Sequence, residues 1–328
     1  MKNKENNDIQ SLSIKILSVF GGILASLAFL GFLLITRLYD SNAGLLVFGI
    51  ISITGAILIS KKYDKLIIDT VCVSSFIIGF LLLGFGFSRL EISGNIISVV
   101  FIIIAFSSLF IVRNYILSFV SILIINGCIL SLIISNEGYD LIHLYVSALA
   151  LIVTYFFLKE AKIITANKAL SKLYNPIRAG LTMSFFAGLA FLGIKNDVFP
   201  MSPDYIWLSS IITISAIIYL VSILFDILSI SKIWHKTVIY IFTVFTLLPT
   251  AFSPAISGAI LIILLSFFVN YKTGLVLGII AFIYFISQYY YDLNFTLLTK
   301  SILLFSSGVL FIALYLFTHK KLTTNEKV

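Results

Sequence analysis

Residues 43–60 read AGLLVFGIISITGAILIS, residues 61–65 read KKYDK, and residues 66–87 read LIIDTVCVSSFIIGFLLLGFGF. Two apolar runs flank a five-residue gap that holds Lys61, Lys62 and Lys65. A helix needs roughly 20 apolar residues to cross about 30 Å of hydrocarbon, and each run approaches or exceeds that length. A helix on a soluble surface would show polar residues every three or four positions; here charge is pushed almost wholly to the ends. The stretch reads as a transmembrane helical hairpin whose connection lies on a basic side.

The same pattern runs along the whole chain. Apolar segments at 14–36, 43–60, 66–87, 95–112, 115–134 and 141–158 precede a polar link at 159–178, and segments at 179–194, 206–228, 236–250, 254–270, 274–291 and 295–318 follow it. The expected fold class is all-α: a polytopic membrane helix bundle of about 12 transmembrane helices. It forms a single transmembrane domain over 1–328, with a six-span first half (1–158), a link (159–178) and a six-span second half (179–328). The interval 236–270 is the ambiguous one, because Pro249 and Pro254 interrupt it. It reads as two short spans, with one broken element as the alternative.

Charge orients this bundle. Lys2, Lys4, Lys15, Lys61, Lys62, Lys65, Arg113, Lys159, Lys162, Lys168, Lys172, Arg178, Lys232, Lys236, Lys272, Lys320, Lys321 and Lys327 all fall in alternate gaps or in the tails; they are eighteen of the 22 basic residues. Arg37, Arg89 and Lys195 fall in the other gaps, and Lys300 lies just inside the last segment. Basic residues stay cytoplasmic, which predicts that both termini are inside. Trp207, Trp234 and many tyrosines near segment ends form the expected interfacial belt.

Composition narrows the function classes. The chain is 60% hydrophobic and 11% charged, with a net charge of +8. The basic residues follow membrane topology rather than forming one patch, so nucleic acid is not an expected partner. Short loops leave no room for a soluble catalytic domain. Cys72 and Cys128 lie within apolar segments without a C-x-x-C spacing and read as small buried hydrophobes. The first segment is too long for the core of a signal peptide and reads as an uncleaved span. The link 159–178 reads as a short amphipathic helix that ends at Asn175-Pro176. Ile163, Ala166, Leu170 and Tyr174 would share one face, opposite Lys168 and Lys172, which would meet anionic lipid of the inner leaflet; a connector packed under the bundle is the equal alternative.

Polar groups within hydrocarbon are costly and are therefore the candidates for function. Asn126 lies near a span centre and reads first as an interhelical hydrogen bond, then as a substrate or ion contact. Asp69 lies one turn inside its span with Lys65 four residues before it, the spacing of a local ion pair. Asp226 is similarly placed near Lys232 and Lys236. Asp140 and His143 are three apart and read as a surface pair that could titrate near neutral pH. Lys300 sits about four residues into the last segment, roughly 6 Å deep at 1.5 Å per residue. It can snorkel outward to Asp292 or a tyrosine hydroxyl and clamp the final hairpin. Glycines recur at Gly79, Gly84 and Gly86, at Gly180, Gly188 and Gly193, and at Gly274 and Gly278, where they would allow close helix packing. No clustered nucleophile, acid–base pair, cofactor motif or metal-ligand spacing stands out, so no catalytic, cofactor-binding or metal-binding residue is assigned and no enzyme activity is expected.

The segment Tyr289-Tyr290-Tyr291-Asp292-Leu293-Asn294-Phe295-Thr296-Leu297-Leu298-Thr299-Lys300-Ser301, followed by Leu304 and Gly308, is the most distinctive in the chain. Its aromatic cluster, short turn, T-L-L-x-K-S and later glycine resemble a bacterial membrane family, domain of unknown function 4401. The resemblance implies a multi-pass protein of the bacterial inner membrane and no particular activity. Solute transport is the leading activity class for such a bundle, and a structural or accessory membrane component is the alternative. A protein partner or a homo-oligomer fits either reading. A polar cavity reaching Asn126 would favour transport; a bundle packed solid around it would favour the accessory role.

Overall fold

A computed structural model describes residues 40–63, 66–112, 114–193, 205–227 and 232–292, together with isolated helical positions between 21 and 35 and between 298 and 312. The described residues form helices and turns. In chain order the helices are α1 (Asn42–Lys62), α2 (Leu66–Arg89), α3 (Gly94–Ile111), α4 (Tyr115–Ser135), α5 (Leu141–Leu158), α6 (Glu160–Ala166), α7 (Lys168–Leu192), α8 (Ile206–Ile227), α9 (Ile233–Leu247), α10 (Pro254–Phe268) and α11 (Lys272–Asp292), with a 3₁₀ turn at Leu248–Phe252. Eight helical segments among the described residues are long and apolar enough to cross a membrane, and α10 is a shorter apolar helix. The segments 14–36 and 295–318 fall largely outside the described residues.

Helix is the natural outcome of this composition, since hydrocarbon offers no partner to a backbone amide or carbonyl. The hydroxyls within the helices obey the same constraint. Thr54, Ser121, Ser147, Thr154, Thr182 and Thr213 each donate to the carbonyl four residues back, at 2.7–2.9 Å. The exterior is apolar, with Leu58, Phe110, Ile241 and Phe245 each more than 60% exposed. In water such a surface would drive aggregation; against lipid it costs nothing.

Packing forms two cores. The smaller gathers Ile53, Ala56, Cys72, Phe76, Phe80, Ala105 and Leu117 from α1–α4. The larger takes Ile122, Val146, Phe157, Phe185, Leu220, Ile262 and Phe285 from α4, α5, α7, α8, α10 and α11. Lipid tails are as apolar as leucine, so close backbone approach rather than water exclusion holds such helices together. At the α1–α2 crossing a Cβ added to Gly79 would meet the Gly49 carbonyl oxygen at 2.9 Å, and one added to Gly49 would meet the Gly79 oxygen at 3.1 Å. Gly278 similarly faces the Ile263 backbone across the α10–α11 hairpin.

Two expectations are corrected here. The link 159–178 is not one amphipathic helix ending at Asn175-Pro176. It breaks at Asn167, whose backbone is extended, and α7 then runs through Pro176 to Leu192. A proline removes one helical hydrogen bond and crowds the carbonyl four residues back, here that of Lys172. Tertiary bonds on either side hold the helix: Tyr174 donates to the Phe156 carbonyl (3.1 Å) and Arg178 donates to Glu160, with a local bond from Arg178 to Asn175 within α7. Tyr174 is fully buried, which fits a connector packed under the bundle rather than a face lying on lipid. The second correction concerns His143, which is not at the surface; it is 2% exposed between α5 and α8. In 236–270 the chain forms two separate helices, α9 and α10. The 3₁₀ turn carries Pro249, and Pro254 occupies the first position of α10, where its missing N–H is harmless.

Candidate functional site

Short antiparallel connections gather the C-terminal ends of α1, α3 and α5 with the N-terminal ends of α2, α4 and α7. Lys61, Lys62, Lys159 and Lys162 lie there, and it is called the basic end below. Arg178 lies at this end and is only 8% exposed. A buried cation needs paired hydrogen bonds, and two are present. Nη1 donates to Glu160 Oε1 at 3.2 Å, and Nη2 donates to Asn175 Oδ1 at 2.9 Å. Nε has no partner among the described residues.

Three aromatic rings complete the box around this guanidinium. Its central carbon lies 4.0 Å from the Tyr271 ring centre, 5.0 Å from that of Tyr174 and 5.7 Å from that of Phe157. Each ring is placed by local structure. Tyr174 is one turn before Arg178 on α7. Phe157 is in the last turn of α5. Tyr271 follows Asn270, which caps α10 in the left-handed region (φ 54). The Tyr271 N–H then donates to the Ser266 carbonyl at 2.8 Å and the Asn270 N–H to the Phe267 carbonyl at 3.2 Å, closing a Schellman motif. Asparagine tolerates that backbone conformation better than most residues.

Burial pushes the Tyr174 hydroxyl up to about 12; the Arg178 charge pulls it down and the Glu160 charge pushes it up. Burial likewise raises Tyr271, reinforced by Tyr115 and opposed by Arg178. Both rings stay neutral around pH 7 and present their π faces to the cation. The arrangement can hold a fixed charge and tie together the ends of α5, α6, α7 and α10.

The other polar candidates are scattered. Asn126 is buried on α4; its Nδ2 donates to the Ile122 carbonyl (2.8 Å), and its Oδ1 accepts from the Tyr145 hydroxyl of α5 (3.1 Å). His143 Nδ1 lies 3.0 Å from Ser209 Oγ of α8. Asp140 stands at the N-cap of the same helix as His143. Asp69 Oδ1 accepts from Asn114 Nδ2 at 2.6 Å, while Lys65 lies outside the described residues. Asp226 is exposed near the C-terminus of α8, and Lys236 Nζ sits 5.8 Å from the Phe225 ring centre. Asp292 ends α11, and its side chain, like all of Lys300, lies outside the described residues. Among the described residues, Asn126, Asp69 and Asp226 stand apart from one another and from the Asp140–His143 end of α5.

Further hydroxyl pairs join helices: Ser108 to Ser121 at 2.7 Å, and Thr213 to Ser257 at 2.8 Å. Among the described residues no group of three or more His, Cys, Asp or Glu is placed to hold a metal. A groove of about 310 Å³ between α5 and α8 is lined by Leu151, Tyr155, Ile212 and Tyr219, with Lys159 on its wall.

In the sequence Arg178 reads only as one more basic gap residue. The i, i+4 pair Tyr174–Arg178 was the available signal, and reading Asn175-Pro176 as a helix end hid it. A sequence profile described as a domain of unknown function (DUF4401) matches residues 11–321. No curated protein and no solved structure matches the chain.

Proposed function

We propose a role for this chain on the premise that it belongs to the DUF4401 family: it is a multi-pass component of the bacterial inner membrane that acts by packing and binding rather than by bond-making chemistry. The observation that carries this reading is the Asn126–Tyr145 bond. The most polar group at a span centre is engaged through both its amide nitrogen and its oxygen, within and between helices. Neither the α5–α8 groove nor the basic-end cavity considered below is lined by Asn126. A bundle whose central amide is spent on cohesion suits an accessory or scaffold component, alone or as a homo-oligomer.

The same reading keeps about 12 spans with both termini cytoplasmic. It adds α7, α10 and the two apolar segments outside the described residues to the eight long helices. The basic end then faces the cytoplasm, and Lys300 clamps the final hairpin through Asp292 or a tyrosine hydroxyl. Solute transport is the second reading. It is favoured by the boxed Arg178, since an ionisable residue buried in a membrane protein marks function by default.

Asn126→Leu and Tyr145→Phe separate the two. On the scaffold reading each lowers melting stability by about 0.6–2 kcal/mol, and the double variant loses less than the sum. Proteoliposome flux that Asn126→Leu abolishes while melting stays unchanged would transfer the assignment to transport.

A further inference from the structure

At the basic end a cavity of about 600 Å³ opens where the C-terminal ends of α1 and α3 meet the N-terminal parts of α4 and α7. Lys61 and Lys62 from the last turn of α1 and Lys172 from α7 line it together, so residues far apart in sequence converge on one hollow. Ser60 also lines it. This serine is 8% exposed, and its hydroxyl has no hydrogen-bond partner among the described residues. Asn114 forms another wall, fixed by accepting from the Ile116 and Leu117 amides of α4 and by donating to Asp69. On one side the lining turns apolar at Phe110 and Ile111, of which Phe110 is 71% exposed.

We propose that this cavity binds one anionic phospholipid from the leaflet at the basic end. The ammonium groups of Lys61, Lys62 and Lys172 hold the phosphate oxygens, and the acyl chains leave over Phe110 and Ile111. A basic hollow with an apolar lip on the lipid-facing surface suits an amphiphile; a soluble phosphate compound would leave that lip unused. The inference deepens the membrane-scaffold reading and rests on it only for placing the basic end against a leaflet.

The test uses the full chain in nanodiscs of phosphatidylcholine with and without phosphatidylglycerol, with lipid retention through detergent washing read by native mass spectrometry. Wild type should keep phosphatidylglycerol in preference to phosphatidylcholine. Lys61→Gln/Lys62→Gln/Lys172→Gln should weaken retention on the order of 100-fold, at about fivefold for each lysine near an anionic surface. Lys172→Gln alone should weaken it about fivefold. A control with Lys159, Lys162 and Lys236 changed to Gln should behave as wild type. An equal loss in that control would reduce the effect to diffuse charge and overturn the site. So would equal retention of phosphatidylcholine, or displacement of the lipid from wild type by millimolar inorganic phosphate. Should the triple variant not fold, Lys172→Gln and the phosphate competition decide the question alone.

Discussion

The Arg178 guanidinium lies flat enough against Tyr271 to bring its central carbon within 4.0 Å of the ring centre, tying the middle of the chain to the α10–α11 connection. The contact survives because Glu160 and Asn175 take the hydrogen-bonding edge of the guanidinium while the rings take its face.

Arginine supplies both the fork and the stacking plane, and lysine supplies neither. Arg178→Lys should therefore cost about 1.5–3 kcal/mol, in line with a charge-assisted hydrogen bond. Tyr271→Leu should cost about 0.5–2 kcal/mol, whereas Tyr271→Phe, which keeps the ring, should stay close to wild type. Thermal melting in detergent checks all three. A Tyr271→Phe protein as weak as Tyr271→Leu would show that the hydroxyl, not the π face, matters.

The Tyr174 hydroxyl, pushed up to about 12 from its ordinary 10.0, links the same box to pH. A raised value means that the folded state holds the proton more tightly than the unfolded one. The stability from this residue is full below about pH 10, declines as pH rises, and is gone above about pH 12. Wild type should thus lose stability between pH 10 and 12 more steeply than Tyr174→Phe, which has no proton to release. Parallel melting curves for the two proteins across that interval would contradict the linkage.

How much of this was legible in the sequence depended on which physical rule applied. Span positions were readable because hydrocarbon imposes one rule on every segment: the ends of α1 and α5 fall within a few residues of the expected limits. Asn126 was readable for the same reason, as a lone amide among apolar neighbours. The α6–α7 region was not, because Asn175-Pro176 is a good local stop signal that bonds from Tyr174 and Arg178 override. Nor was the Ser60 cavity, whose walls come from α1, α3, α4 and α7 and leave no mark at any fixed spacing. His143 was misplaced because its partner, Ser209, lies on a helix that no periodicity could pair with it.

Glycine spacing makes a sharper test of packing. Gly79 and Gly55 both lie within the apolar α1–α2 hairpin, yet a Cβ on Gly79 would sit 2.5 Å from Ile53 Cγ1, and one on Gly55 meets nothing within 4 Å. Gly79→Ala should cost about 1–3 kcal/mol by overpacking, because the Gly49 carbonyl on the other side cannot yield. Gly55→Ala should be neutral or stabilising. Melting temperatures that rise equally in both variants would mean that helix propensity, not the crossing, governs this hairpin.

The last prediction concerns the number of spans. The fold already places Tyr63 and Lys168 at one end of the bundle and Gly138 at the other. Reporter fusions after these residues therefore fix only which end is cytoplasmic. The lysines of α1 and of the α5–α6 connection predict that it is the end with Tyr63 and Lys168. A fusion at Asn325 asks something more. α11 begins at Lys272, at the end where Tyr271 meets Arg178, and finishes at Asp292 on the opposite side. One further crossing by 295–318 returns the chain to the basic end and puts Lys320, Lys321 and Lys327 with the other lysines. Fusions at Tyr63, Lys168 and Asn325 should then score cytoplasmic, and those at Asp40, Gly138 and Pro200 periplasmic. A periplasmic signal at Asn325 with a cytoplasmic one at Tyr63 would mean that 295–318 does not cross, and the twelve-span reading would go with it.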